Sequence, residues 1–177
     1  MIVISDANIL SSLASAQALK LLFALYSSAD IYIPPAVHQE LQVGLTRGNT
    51  YLSLVLQAIA ANQIEVIDLS TTEKSLMSAM PAKLNAGESE AIALSQTRPA
   101  TLLSNDKQAI RYCEWQSIKV LNLADILRLL WIKRVISQKE VKSLIAKMKA
   151  VEGLTLSQAA LNTIFAPRRR RRRRRKP

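Results

Sequence analysis

The feature that most constrains this chain is an alternation of short β-rich runs with longer stretches of helical spacing. Ile2-Val3-Ile4 is apolar at every position and too short for a helix. That is the pattern of a strand covered on both faces. Ile31-Tyr32-Ile33, Ile64 to Ile67, Thr101 to Ser104 and Lys119 to Leu121 continue the series. Between them the spacing predicts helices over 10–28, from the prolines at 34–35 to a stop near Gly44, over 50–61 and over 71–80. Further helices are predicted from Gly87, over 106–114, over 123–134 behind the N-cap Asn122, from Ser137 with Glu140 at the capping-box position, and over 157–165. Strands separated by helices cannot pair as hairpins. They demand crossovers, and hence an α/β domain with a central, mostly parallel sheet between helical layers.

Composition sets the remaining limits. A chain of 177 residues holds one compact domain with a sizeable core. The single cysteine, Cys113, excludes an internal disulfide, and no Cys/His grouping suggests zinc; a cytoplasmic location is expected. The opening MIVISDANIL lacks a basic n-region, so no signal peptide is expected. Apolar runs are interrupted, as Leu19 to Ile33 is by Lys20 and Asp30, so no membrane association is expected. The net charge of +11 belongs largely to the end of the chain. Arg168 to Arg175 and Lys176 supply nine of the 24 Lys+Arg, leaving 15 against 13 Asp+Glu. The body therefore carries little net charge. The tail is low-complexity and self-repelling, and is expected to be disordered.

Acids at strand ends carry the chemistry. Hard cations take oxygen ligands, and metal-assisted phosphodiester hydrolysis needs carboxylates converging from separate elements. In an open α/β sheet they converge at the carboxyl ends of the strands. Asp6 directly follows Ile2-Val3-Ile4-Ser5, and Asp106 lies two residues past Ser104. Each acid also has an ordinary role open to it. A strand-end aspartate is commonly a turn former or an N-cap. Glu40 on a short helix reads equally as solvated, and Glu88 after Gly87 as a favourable charge at a helix N-terminus.

Together these residues resemble the PIN-domain nuclease family. Ile2-Val3-Ile4-Ser5-Asp6-Ala7-Asn8-Ile9-Leu10 looks like its opening motif, and Val37-His38-Gln39-Glu40-Leu41 is similar to the second. Gly87-Glu88-Ser89-Glu90-Ala91-Ile92-Ala93-Leu94 looks like the third, and Leu102-Leu103-Ser104-Asn105-Asp106 like the fourth. The third motif most resembles a prokaryotic branch related to VapC-type toxins. The resemblance implies a three-layer α/β/α PIN-like fold with C-terminal helices. It would span a domain at 1–150 (core 1–125 plus a helical extension), a terminal helix within 151–166 and a tail at 167–177. It also implies a Mg²⁺- or Mn²⁺-dependent endoribonuclease, the toxin of a toxin–antitoxin pair, with Asp6, Glu40, Glu88 and Asp106 as metal-holding and catalytic residues. RNA as substrate, an antitoxin protein as partner and a homodimer follow from the same resemblance.

The chain departs from the family pattern in two places. Glu88 and Glu90 compete for the third acid and lie about 200° apart on a helix. Glu88, 18 residues before Asp106, matches the spacing common in relatives better than Glu90, 16 before it. The further acid that often follows the fourth motif is replaced by Lys107, Gln108 and Ala109, which favours one metal over two. That loss also motivates an alternative reading, a catalytically silent PIN-fold module that binds nucleic acid; a DNA-directed nuclease is a third.

Asn8 and Ser104 are placed to orient carboxylates or metal-bound water, or simply to close turns. Arg111, a turn or so past Asp106, is a candidate phosphate contact or a surface ion-pair residue. Arg168, Arg169, Arg170, Arg171, Arg172, Arg173, Arg174 and Arg175 are expected to contact nucleic acid through phosphates alone, without reading sequence. His38 lies on a different helix face from Glu40. Cys113, Trp115 and Trp131 are expected in packing roles.

Overall fold

The computed structural model describes residues 2–167, so the expectations for the arginine tail lie outside the described residues. Five strands, β1 (Ile2–Ser5), β2 (Asp30–Ile33), β3 (Glu65–Val66), β4 (Ala100–Leu103) and β5 (Val120–Leu121), form one sheet in the order β3-β2-β1-β4-β5. Every pairing is parallel. The chain winds outward from β1 to β3 on one side, then returns past β1 to lay down β4 and β5 on the other. β1 and β4 therefore flank the topological switch point, where ligands bind in sheets of this kind.

Strand alternation divides the core into two. Val3, Ile31, Ile33 and Leu103 point to one face, while Ile4, Tyr32 and Leu102 point to the other. The first face is covered by α1 (Ala7–Ser15), α2 (Leu19–Leu25), α3 (Pro35–Thr46) and α4 (Ser53–Ala60), with a 3₁₀ turn at Thr50–Leu52 before α4. The second is covered by α5 (Thr71–Met77), α6 (Ala86–Thr97) and α7 (Lys107–Trp115). α8 (Leu123–Ile132), α9 (Gln138–Glu152) and α10 (Gln158–Phe165) extend the first layer. Leu127, Met148 and Ile164 from these three are fully buried in the same core as Val3. The result is a three-layer α/β/α fold with C-terminal helices.

Two expectations about helices change. The single helix over 10–28 is broken at Ala16-Gln17-Ala18, where Gln17 takes φ 57° and α2 leaves α1 at 118°. The apolar spacing hid the break because Leu13 and Leu22 enter the same core from either side of it. Gly44 does not stop α3, which runs on to Thr46. A Cβ at Gly44 would stand 2.5 Å from Leu52 Cδ1, so this glycine serves close packing against the 3₁₀ turn. No single helix among the described residues is long and apolar enough to cross a membrane.

Candidate active site

The register that pairs Ser5 with Leu103 sets the carboxyl ends of β1 and β4 side by side. The chain leaves β1 directly into Asp6, whose N–H donates to the Leu103 carbonyl at 2.9 Å. Asp6 is the N-cap of α1 and only 3% exposed. Its Oδ1 accepts the Ile9 N–H at 3.0 Å, and Oδ2 accepts the Ser104 hydroxyl at 2.6 Å and the Asn105 N–H at 3.3 Å. The Asp106 N–H donates in turn to Ser104 Oγ at 3.2 Å. Asp106 is the N-cap of α7, its Oδ1 accepting the Gln108 and Ala109 N–H groups at 2.7 and 2.8 Å. Buried Ser104 thus ties the two strand-end acids together, a link spanning 98 residues of sequence between Ser104 and Asp6.

The glutamates come from the helices on either side. Glu88 closes a capping box with Asn85 at the start of α6, accepting the Asn85 N–H at 3.1 Å while its own N–H donates to Asn85 Oδ1 at 2.8 Å. Glu40 approaches from α3. It is exposed overall, yet its Oε2 lies so near the α6 start that a Cβ at Gly87 would stand 3.3 Å away. Glu90 is engaged elsewhere, its Oε2 accepting the Ala36 N–H in the first turn of α3 at 2.8 Å. Glu88 shares an electrostatic field with the other three acids. Burial first, and then the charges of Asp106, Asp6 and Glu40, raise the pKa of Glu88 against the Asn85 hydrogen bond.

The same physics marks Asp6 most strongly. Burial pushes its carboxyl up to about 6, even though Ser104, Ile9 and Asn105 all donate to it, and the Glu40 charge adds to the rise. Loss of solvent raises Glu40 as well. Among the described residues none of these four acids is held in an ion pair; the one ion pair is Glu73 with Arg98. An all-oxygen donor set with unfavourable like charge fits a hard divalent cation. The carboxylates are nonetheless spread over helix N-termini, and among the described residues no three acids, histidines or cysteines stand gathered as a ready metal-binding group. The caps explain why. Asp6, Glu88 and Asp106 each take the ordinary N-terminal role open to them, and the charges of Asp6 and Asp106 still reach Glu88.

Beside Glu40 lies a cavity of about 250 Å³ lined by Asn8, Ser11, Arg47 and Asn49 among others. Asn8 therefore faces this cavity, and no hydrogen bond from it to the four acids is present. Arg47 escaped the sequence reading. Its signal was available: it lies seven residues past Glu40, two helical turns along the same face. Arg111 is exposed on α7 and joins no ion pair among the described residues.

A parallel sheet with acids following the carboxyl ends of β1 and β4 at the switch point is the arrangement of an α/β domain of the PIN type. The family model described as DUF3368: PIN domain matches residues 2–167, and the chain belongs to that family. Among solved structures, one similar chain belongs to the crystal structure of VapBC2 from Rickettsia felis bound to a DNA fragment from their promoter. The two share 17% identity and a TM-score of 0.55, over 69% of this chain and 98% of that chain. No curated protein matches the chain in sequence.

Proposed function

We propose that this protein is a Mg²⁺- or Mn²⁺-dependent endoribonuclease with Asp6, Glu40, Glu88 and Asp106 as its metal-holding residues. The observation that carries this reading is the buried carboxyl of Asp6 at the β1–β4 switch point, tied through Ser104 to Asp106 and in the field of Glu40 and Glu88. Such a group is held against its own stability, which is the mark of a functional site. A bound divalent ion supplies activation of water and stabilisation of the leaving oxygen. The chain supplies the rest. Ser104 fixes the orientation of Asp6 and the backbone of Asp106, and Arg47, beside Glu40, offers a positive charge to a substrate phosphate. The fold likeness to a chain of VapBC2 supports a finer reading, the toxin of a toxin–antitoxin pair with an antitoxin partner.

Purified protein is expected to cleave single-stranded RNA when Mg²⁺ or Mn²⁺ is supplied, and to stop in EDTA. A 2′-deoxy strand of the same sequence should resist; its cleavage would make the enzyme a DNA nuclease. The absence of a gathered metal group, and Lys107 to Ala109 after Asp106, favour a second reading, a silent nucleic-acid-binding module. Calorimetry separates them: Mn²⁺ uptake that disappears with Asp6→Asn belongs to the enzyme, and no uptake to the silent module.

Gly87→Ala probes Glu40 separately. The new methyl would meet Val37 Cγ2 at 3.1 Å and Glu40 Oε2 at 3.3 Å, so the carboxylate must retreat by a few tenths of an ångström. Helix propensity favours alanine by up to about 1 kcal/mol, so the fold should survive. Cleavage is expected to fall about tenfold, because small misplacements of reacting groups are costly. Unchanged kcat/KM, at an unchanged melting temperature, would show that Gly87 does not set the position of Glu40.

A further inference from the structure

α7 begins beside the strand-end acids, since Asp106 is its N-cap and Ser104 ties it to Asp6, and its buried face consists of Ala109 and Cys113. The opposite face carries Lys107, Arg111 and Trp115, all exposed. Residues four apart drift by only about 40° around a helix, so these three form one stripe about 12 Å long. Trp115 is 75% exposed, which corrects its expected packing role. Tyr112 touches the indole edgewise, with centroids 5.8 Å apart and planes at 61°, and leaves most of it open. Neither Lys107 nor Arg111 is committed to an ion pair among the described residues. Glu114, on the flank of this stripe, is the one acid within α7. Trp131, by contrast, is tied down, its Nε1–H donating to the Ile164 carbonyl at 2.7 Å.

An exposed tryptophan in line with two uncommitted cations suits a strand whose bases are unstacked and whose phosphates alternate with them. A duplex hides its base faces, and an apolar protein partner would gain nothing from the two cations. We propose that α7 is a platform for single-stranded RNA, with Trp115 stacking a base while Arg111 and Lys107 hold the phosphates of the strand leading to the carboxylates. This rests on the ribonuclease reading and adds the direction from which substrate enters. The span fits about three to four stacked nucleotides.

Binding of a short fluorescent RNA to the full chain in EDTA tests the proposal without any cleavage. An abasic phosphodiester strand of equal length and charge serves as the control, because the arginine tail binds both alike. The wild type is expected to prefer the base-bearing strand. Trp115→Ala should weaken that strand about tenfold and leave the abasic strand unchanged, while Trp115→Phe retains most of the preference. Lys107→Ala and Arg111→Ala should weaken both strands and each lower the salt dependence by about one counterion. A preference for bases that survives Trp115→Ala, or none in the wild type, overturns the platform. So does a change in sedimentation of the RNA-free Trp115→Ala protein with strand affinities intact, which would assign the face to protein contact. Failure of the nuclease reading would appear differently, as intact base-dependent binding without metal-supported cleavage.

Discussion

Asp6→Asn is expected to abolish metal-supported RNA cleavage and, in the same protein, to raise the melting temperature of the metal-free chain. The two effects share one cause. Asp6 is 3% exposed and its carboxyl is raised from 3.8 to about 6, so its charge is present at neutral pH against the cost of burial. The sign follows from proton binding. Between pH 3.8 and 6 the folded chain holds a proton that the unfolded chain has lost, so stability falls as pH rises through that window. Above it the full penalty remains, at most about 3 kcal/mol at 1.36 kcal/mol per pKa unit. Asparagine carries no charge to penalise. Its carbonyl can still cap α1 through the Ile9 N–H, and its amide can donate to Ser104 Oγ; the Asn105 N–H and the Ser104 hydroxyl proton lose the acceptor they share. With about 1 kcal/mol lost for each of the two stranded donors, a net gain of about 1 kcal/mol remains, which corresponds to a few degrees. Cleavage should fall by more than about a hundredfold, the upper range for losing even a group that merely orients a metal ligand. Mn²⁺ should raise the melting temperature of the wild type and leave that of Asp6→Asn unmoved. A variant that melts lower without metal at pH 7 would make Asp6 a structural cap, and one that still cleaves would remove it from the chemistry.

The alternation of strand runs and helices made the parallel sheet legible, because each β-branched run is short and its two faces must both be covered. Asp6 and Asp106 were legible for the same reason: position relative to a strand end is written in the sequence. Glu88 was harder. Its sequence spacing favoured it over Glu90, but what separates them physically is the Ala36 N–H, which occupies Glu90 from 54 residues away. The break at Gln17 left no mark in the periodicity, since a left-handed residue between two helices that share one core keeps the apolar spacing intact. Trp115 was misread because its size suggested packing, although the helical spacing that buries Ala109 and Cys113 sets it on the opposite side of α7. The Ser104 bridge between the two acids is a tertiary fact of the same kind.

Glu73→Ala is expected to do the reverse of Asp6→Asn, destabilising the fold by about 3 kcal/mol or more while leaving the carboxylate site in place. Glu73 is 2% exposed and no sequence signal beyond a capping-box spacing singled it out. Five donations converge on it. The Ser70 N–H and hydroxyl reach Oε2 at 2.8 and 2.9 Å, the Thr97 hydroxyl reaches Oε1 at 2.6 Å, and Arg98 donates through Nε at 2.9 Å and Nη2 at 3.2 Å. The carboxylate thereby closes the α5 N-terminus and pins it to the end of α6. Arg98, with its side chain 28% exposed, can turn to water, so losing the carboxylate strands chiefly the Ser70 and Thr97 donors, at about 1–3 kcal/mol for each group left unsatisfied. Near this chain length each kcal/mol is worth about 2–4 °C, so a drop of about 10 °C is the expected reading. The pH dependence also opposes that of Asp6. Arg98 first, with help from Thr97 and Ser70, lowers the Glu73 carboxyl from 4.5 to about 2 against its burial. Its contribution is complete above pH 4.5 and is lost as pH falls towards 2. Acid melts of the wild type should steepen through that window, and those of Glu73→Ala should not. Cleavage by Glu73→Ala, measured well below its own melting temperature, should match the wild type. A rate loss there would mean that the α5–α6 clamp also holds Glu88 in position from the far end of α6.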